Sequence, residues 1–275
     1  MGTDFSGRVA FVTGASRGIG EFTAYEFAAR GANVVLMAKS TNDAPHRVFE
    51  GTIEQTEAKV RGYGVDALAV RGDVSHEEDV DAAYQATMDR FGRCDVVVNN
   101  AAVSYIGPFL ELSVKRWDIL MAVNVRGPML VSRAFLPQMI ERGDGRIVNI
   151  SSADGRLDLD MVEDVSAGIT SGTAGERAAF GETGADLNAS MLAYGTSKAA
   201  LNRFTVGLAR ELRGTGVAAN ALEVGAVTPA FRYTLPDADF SKNELPEAPA
   251  QLATWLAAQP AELTAAYAVT VVTLT

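Results

Sequence analysis

Short, uninterrupted apolar runs alternate with stretches of helical periodicity along most of this chain, and that alternation leaves few folds open. The runs cover residues 9–13, 33–38, 67–70, 96–98, 147–150 and 217–222. Between them, 21–30, 77–90, 114–142 and 194–213 carry apolar residues at three- and four-residue intervals. A strand with one wet face alternates apolar and polar side chains, whereas a strand apolar throughout is covered on both faces. Helices connecting parallel strands supply that cover, so the sequence predicts a doubly wound, Rossmann-like α/β sheet. The 275 residues, 48% of them hydrophobic, suffice for one large core and are expected to form a single domain, 1–275.

Two places break the rhythm. Residues 40–51 delay the helix after the second run, and everything from 153 to 193 lies between Ser152 and Tyr194. Connections that long are uncommon unless they are functional or disordered. Within the second interruption, 156–190 is rich in Gly, Ala, Ser and Thr, and its acidic residues outnumber its basic ones. With little apolar area to offset ordering, this insertion is expected to act as a mobile lid beside the substrate site; a surface excursion packed elsewhere is the plainer alternative.

Charge narrows the partners. Lys plus Arg number 24 against 34 Asp plus Glu, a formal net charge of −10, and that field repels nucleic-acid phosphates and anionic lipid surfaces. No uninterrupted apolar run reaches membrane-spanning length, and the first residues do not read as a secretory signal, so a cytoplasmic address is expected. Cys94 is the sole cysteine, and the only histidines are His46 and His76, so neither a disulfide nor a metal site is expected. Trp117 and Trp255, at helical spacing among leucines, are expected in the core, as is Cys94.

Chemistry concentrates at the ends of the apolar runs. Thr13-Gly14-Ala15-Ser16-Arg17-Gly18-Ile19-Gly20 joins the first run to the first helical stretch. Glycines there let the backbone approach a pyrophosphate while a helix amino end faces the anion, although a glycine cluster alone also describes a tight turn. Tyr194 and Lys198 are four residues apart, hence on one face of a helix. An ammonium beside a phenol lowers its pKa toward the range useful for proton transfer. An exposed, idle pair is the bland reading of the same spacing.

Taken in order, these landmarks resemble the classical short-chain dehydrogenase/reductase family. Its glycine pattern, Thr-Gly-x-x-x-Gly-x-Gly, stands at 13–20; Asp73-Val74, Asn99-Asn100-Ala101, Asn124, Ser151-Ser152 and Tyr194-x-x-x-Lys198 follow, the likeness covering about 6–228. The resemblance implies that Gly14, Ser16, Gly18, Ile19 and Gly20 receive the dinucleotide, that Asp73 and Val74 flank its adenine, and that Asn100 and Ala101 lie near its ribose. A helix cap is the alternative for Asp73. It further implies that Tyr194 is the general acid/base and that Lys198 also holds the nicotinamide ribose. Ser152, with Ser151 ranked second, polarises the carbonyl, and Asn124 holds a water leading to Lys198. Arg17 and Lys39 stand where the family's NADP users place basic residues, so NADP(H) is favoured over NAD(H); Asp43 is about the right distance from Gly20 to serve as the ribose acid but lies beyond the basic position in what reads as loop, and solvated surface charges are the alternative for the basic pair.

Three departures are visible. Ala102 replaces the usual glycine after Asn-Asn-Ala, Val224-Gly225 replaces Pro-Gly, which clouds the assignment of Thr228 to the carboxamide, and the usual Gly-rich C-terminal segment is absent. The expectation is an oxidoreductase passing a hydride between nicotinamide and a small carbonyl compound or secondary alcohol. It is expected to assemble as a homodimer or homotetramer through 114–142 and 194–213. A non-catalytic dinucleotide sensor or scaffold, and a lyase or epimerase on the same fold, are the alternatives.

Overall fold

The computed structural model describes residues 4–155, 191–225, 228, 232–233, 245–264 and 269–271. Its centre is a seven-stranded sheet in the order β3-β2-β1-β4-β5-β6-β7, every pairing parallel. The strands are β1 (Val9–Thr13), β2 (Asn33–Ala38), β3 (Ala67–Arg71), β4 (Val96–Asn99), β5 (Gly145–Ser152), β6 (Val217–Val224) and β7 (Val269–Val271). Strand order reverses between β1 and β4, and the crevice outside the strands' carboxyl ends at such a reversal is where doubly wound sheets bind ligands.

The unbroken apolar runs have a simple origin. Ala10 and Val12 of β1 face one core, with Val34, Leu36, Val96, Val98 and Ile150, while Val9 and Phe11 face the other, with Val35, Met37, Val97 and Ile147. Strands β1, β2, β4, β5 and β6 therefore bury both parities. Helices α1 (Gly18–Ala29), α2 (Ile53–Arg61) and α7 (Glu247–Ala258) cover the first face; α3 (Glu77–Phe91), α5 (Gly127–Arg142) and α6 (Leu192–Glu211) cover the second. Phe27 packs edge-on to Phe5 at 5.1 Å, and Phe11 meets Phe135 at 4.7 Å. Fully burying a side chain of this size stabilises by about 1.5–3 kcal/mol.

Several expectations change. The helical run at 114–142 is divided: α4 (Val114–Met121) passes into a π-helical turn, Ala122–Arg126, before α5. By length and composition Val114–Arg142 could cross a membrane, contrary to expectation, but half of its most apolar window is buried within the protein. It is a core helix. Residues 40–51 lead into α2 through a capping box, Thr52 accepting from the Gln55 amide and the Gln55 side chain from that of Thr52. Trp255 is 50% exposed rather than in the core, because Ala253, Leu256 and Ala257 form the buried stripe of α7. Cys94 is fully buried, as expected, and burial raises its thiol pKa. A short helix, α8 (Ala261–Thr264), precedes β7, a strand no apolar run announced.

Candidate functional site

The glycine turn sits at the carboxyl end of β1. Gly14 and Gly18 have φ of +64° and +59°, where a side chain would be strained. Asn100, just past β4, locks the turn from the neighbouring strand. Its Nδ2 donates to the carbonyls of Thr13 (2.9 Å) and Gly14 (3.2 Å), while Thr13 Oγ1 accepts from the amides of Asn100 and Ala101, both at 3.0 Å. A Cβ on Gly20 would run into Asn100 Nδ2 and lie 2.5 Å from the Gly14 carbonyl oxygen. Ser16 and Ile19 are buried beside it. No side chain caps the amino end of α1, so its amides still face outward to an anion. These residues fit a pyrophosphate. Ala102 fits where glycine was expected because it is exposed and no described non-glycine residue has a positive φ.

The basic residues expected at the adenosine end are both engaged. Arg17 Nε donates to the Glu50 carbonyl at 2.9 Å, and its Nη2 to Ser40 Oγ at 2.9 Å and the Gly51 carbonyl at 2.8 Å. Lys39 Nζ pairs with Asp73 Oδ2 at 2.8 Å. Burial pushes the Asp73 carboxyl up, but Lys39 and two donors from Ser75 outweigh it and hold the pKa down at about 2. Asp73 Oδ1 accepts from the Ser75 amide (3.0 Å) and hydroxyl (2.7 Å), so Asp73 also shapes the turn before α3. Val74 is buried, pressed against Gly127. Lys39, Asp73 and the loop after β2 line a cleft of about 900 Å³.

The other group of residues meets at the carboxyl end of β5. Tyr194 and Lys198 lie in the first two turns of α6, Tyr194 partly and Lys198 deeply buried. Lys198 Nζ donates to the Ile150 carbonyl at 2.8 Å and lies 5.5 Å from the Tyr194 ring centre. Burial lowers its pKa to about 8, with Asp154 acting in the opposite direction. The Tyr194 phenol departs from expectation. Burial and the Asp154 charge raise its pKa, and the hydrogen bond to Ser152 opposes them without prevailing. Lys198 does not reverse this, because its ammonium is turned to the Ile150 carbonyl.

Ser152 Oγ donates to Asp154 Oδ2 at 2.8 Å. Ser151 is buried with its hydroxyl unpartnered among the described residues; strand alternation turns it away from Tyr194, which leaves Ser152 the better placed of the two. Asn124, in the π-helical turn, braces Val103 twice, accepting from its amide at 2.9 Å and donating to its carbonyl at 2.8 Å, and donates to Ser197 Oγ at 3.0 Å. Ser197 in turn donates to the Tyr194 carbonyl at 2.7 Å. Asn124 is thus tied to α6 one turn from the tyrosine.

Asp154 is the residue that sequence reasoning missed. It lies in a 3-10 turn, Ala153–Gly155, packed so closely on α6 that a Cβ on Gly155 would sit 2.7 Å from the Lys198 carbonyl carbon and one on Gly195 2.7 Å from the Asp154 carbonyl oxygen. The glycines at 155 and 195 were the only available signal. Thr228 is partly buried and its carbonyl accepts from the Arg232 amide at 3.0 Å. The proposed lid, 156–190, lies outside the described residues. Among the described residues, no group of three or more His, Cys, Asp or Glu could hold a metal ion.

A family model described as short chain dehydrogenase matches residues 8–167 and 181–238. The oxidoreductase UcpA of Salmonella typhimurium is 36% identical over 222 residues, 81% of this chain and 70% of that protein. The 2-(R)-hydroxypropyl-CoM dehydrogenase of Xanthobacter autotrophicus is 35% identical over 247 residues, 88% of this chain and 84% of that protein. A metagenomic short-chain oxidoreductase solved in complex with NADP superimposes with a TM-score of 0.73 at 30% identity, covering 98% of this chain and 99% of its own. The sheet order, the locked glycine turn and these likenesses agree: the chain belongs to the short-chain dehydrogenase/reductase family and is an oxidoreductase of that family.

Proposed function

We propose that this oxidoreductase uses NADP(H) to interconvert a carbonyl group and a secondary alcohol on a small molecule, with Tyr194 as general acid and base. The observation that carries the reading is the convergence of Ser152, Tyr194 and Lys198 at the carboxyl end of β5. The bound dinucleotide supplies or accepts the hydride. In reduction, Ser152 orients the substrate oxygen, and Tyr194 delivers its phenolic proton to that oxygen as negative charge develops there. Lys198, whose ammonium rests on the Ile150 carbonyl 5.5 Å from the Tyr194 ring centre, turns from that carbonyl toward the phenolate left behind and stabilises it. Asn124 connects this group to the chain at Val103, which supports its place on a proton route.

Gly14, Ser16, Gly18, Ile19 and Gly20 form the pyrophosphate end of this site, and Arg17, Lys39, Asp73, Val74, Asn100 and Ala101 the adenosine end. Thr228 belongs to the same proposal only by its place after β6. The chain acts as one dinucleotide-binding unit. Assembly through α4, α5 and α6 is part of the same reading, since Val114, Ile119, Ile140 and Leu192 leave apolar surface exposed there.

The test is a panel of ketones and secondary alcohols, offered with NADPH or NADP and followed at the nicotinamide absorbance. Tyr194→Phe is expected to lower turnover of any substrate found by roughly 10²–10⁴-fold and to leave cofactor affinity unchanged. Retention of more than about a tenth of the parental rate, well short of an acid–base contribution, removes Tyr194 from the mechanism. Tight cofactor binding with no turnover across the panel favours the sensor reading instead.

A further inference from the structure

We infer that two arginines outside the family landmarks, Arg47 in the loop after β2 and Arg71 at the end of β3, recognise the 2′-phosphate of the dinucleotide, while Arg17 serves as the clamp that holds that loop in place. This inference rests on the NADP(H) reading above and assigns the residues that make the choice.

Recognition of a phosphate monoester needs cationic donors free to turn toward it. Arg17 does not qualify: two of its three guanidinium nitrogens are bonded to the Glu50 and Gly51 carbonyls and to Ser40 Oγ. What it does instead is fasten both ends of the 40–51 loop to the glycine turn. Gly51 shows how close the two segments run, since it has φ of +100° and its Cβ would run into the Ser16 carbonyl oxygen. Further fastenings agree with this. Thr52 Oγ1 donates to Asn42 Oδ1 at 2.7 Å, and the Asn42 amide to Glu54 at 3.0 Å. The loop tip is ordered as well: His46 Nδ1 accepts from the amides of Val48 and Phe49, both at 3.1 Å, and its ring stacks on Phe49 at 4.7 Å.

Lys39 is a poor candidate for the whole task. It is paired with Asp73, and Asp79 lines the same cleft, so a phosphate drawn to Lys39 alone would approach two carboxylates. Arg47 and Arg71 line that cleft too. Both side chains are exposed, and neither makes a hydrogen bond or ion pair with another described residue. Arg71 is placed by sheet register: it stands opposite Ala38, next to Lys39, across the β2–β3 pairing. Two arginines whose side chains have no bond to another described residue therefore line the cleft at the end of β2, in a chain whose net charge is −10. Positive potential there is also felt by His46, whose pKa is lowered first by burial and then by Arg17 and Lys39.

The test uses two nucleotides that differ only by the phosphate in question. Adenosine 2′,5′-bisphosphate and adenosine 5′-monophosphate are titrated calorimetrically into the full chain, then into Arg47→Ser, Arg71→Ser and the double variant, each checked for an unchanged melting curve. A charge-assisted hydrogen bond contributes about 1.5–3 kcal/mol. Each single variant is thus expected to weaken the bisphosphate roughly tenfold or more, with 5′-monophosphate binding unchanged. Arg17→Lys, which keeps the charge but not the fork of bonds, is expected to lose the same discrimination and to expose the loop to trypsin. Undiminished preference for the bisphosphate in the double variant, with its loss in Lys39→Ser, overturns the inference. So does inorganic phosphate binding as tightly as the bisphosphate, which would make the cleft a general anion site. Binding of both nucleotides with equal affinity by the parent removes the 2′-phosphate assignment alone, whereas binding of neither removes the dinucleotide reading with it.

Discussion

The two edges of the parallel sheet treat their buried polar groups in opposite ways. At the amino edge Asp95, fully buried, accepts from the Val9 amide at 2.8 Å and is flanked by Arg93 at 2.6 Å and Arg142 at 3.1 Å. Arg146 beside it is bonded to Asp144 and to the carbonyls of Gly145, Gly216 and Gln259. At the carboxyl edge, Ser151 Oγ and Asn99 Oδ1 are buried without a partner among the described residues, the amino end of α1 has no side-chain cap, and the deeply buried Lys198 ammonium rests on the Ile150 carbonyl. Saturated polar groups make an edge rigid. Unsaturated ones make it receptive, and their cost in stability is tolerated where a ligand completes them.

Variants at each edge sharpen this contrast. The largest effect is expected from Asp95→Ala, which leaves two arginines and the Val9 amide facing a buried void. Breaking such a group costs about 3–5 kcal/mol, read as a fall in denaturant midpoint, with dinucleotide affinity of the folded fraction unchanged. A loss under about 1 kcal/mol, the range of surface ion pairs, would mean that the amino-edge network is not structural. Gly20→Ala is expected to cost less, about 1–3 kcal/mol for forcing a methyl into a packed site. Unlike Asp95→Ala, it should weaken dinucleotide binding, because Asn100 and the Gly14 carbonyl must move aside. Unchanged cofactor affinity in a stable Gly20→Ala protein would break the link between that packing and the ligand.

The smallest effect, a shift rather than a loss, is expected from Asp154→Asn. Asp154 holds the Tyr194 pKa up, so removing its charge lowers that pKa. In the mechanism proposed above, alcohol oxidation needs the phenolate, which then persists to lower pH. The acidic limb of the oxidation profile should therefore move to lower pH in Asp154→Asn, while the parent loses activity earlier as pH falls. A limb that stays in place, or moves upward, would show that the carboxylate does not act on the tyrosine.

Sequence periodicity exposed the inner sheet because β1, β2, β4 and β5 bury both parities and thus read as unbroken apolar runs. It missed β7, whose three residues, Val269–Val271, are too few to form a pattern, and it put Trp255 on the wrong side of α7. The landmarks named the candidate residues but not their partners. Arg17 was placed correctly at the glycine turn, yet its bonds to Glu50, Ser40 and Gly51 depend on how the 40–51 loop folds back. The same holds for Lys198 and the tyrosine: four-residue spacing aligns two side chains on a helix, but the Ile150 carbonyl, brought in by the sheet, decides where the ammonium points. Asp154 had no periodic signature at all, since a single carboxylate in a short turn acquires meaning only from what packs on it.

The π-helical turn at Ala122–Arg126 carries one further consequence. Through Asn124 it ties the strand-end segment at Val103 to Ser197, and so to the turn of helix that bears the tyrosine. The tyrosine is thereby anchored through the π-helical turn as well as through its own helix. A substitution that regularised this turn into plain α-helix would shift Asn124 and so loosen the turn of helix around Tyr194 without touching the tyrosine itself.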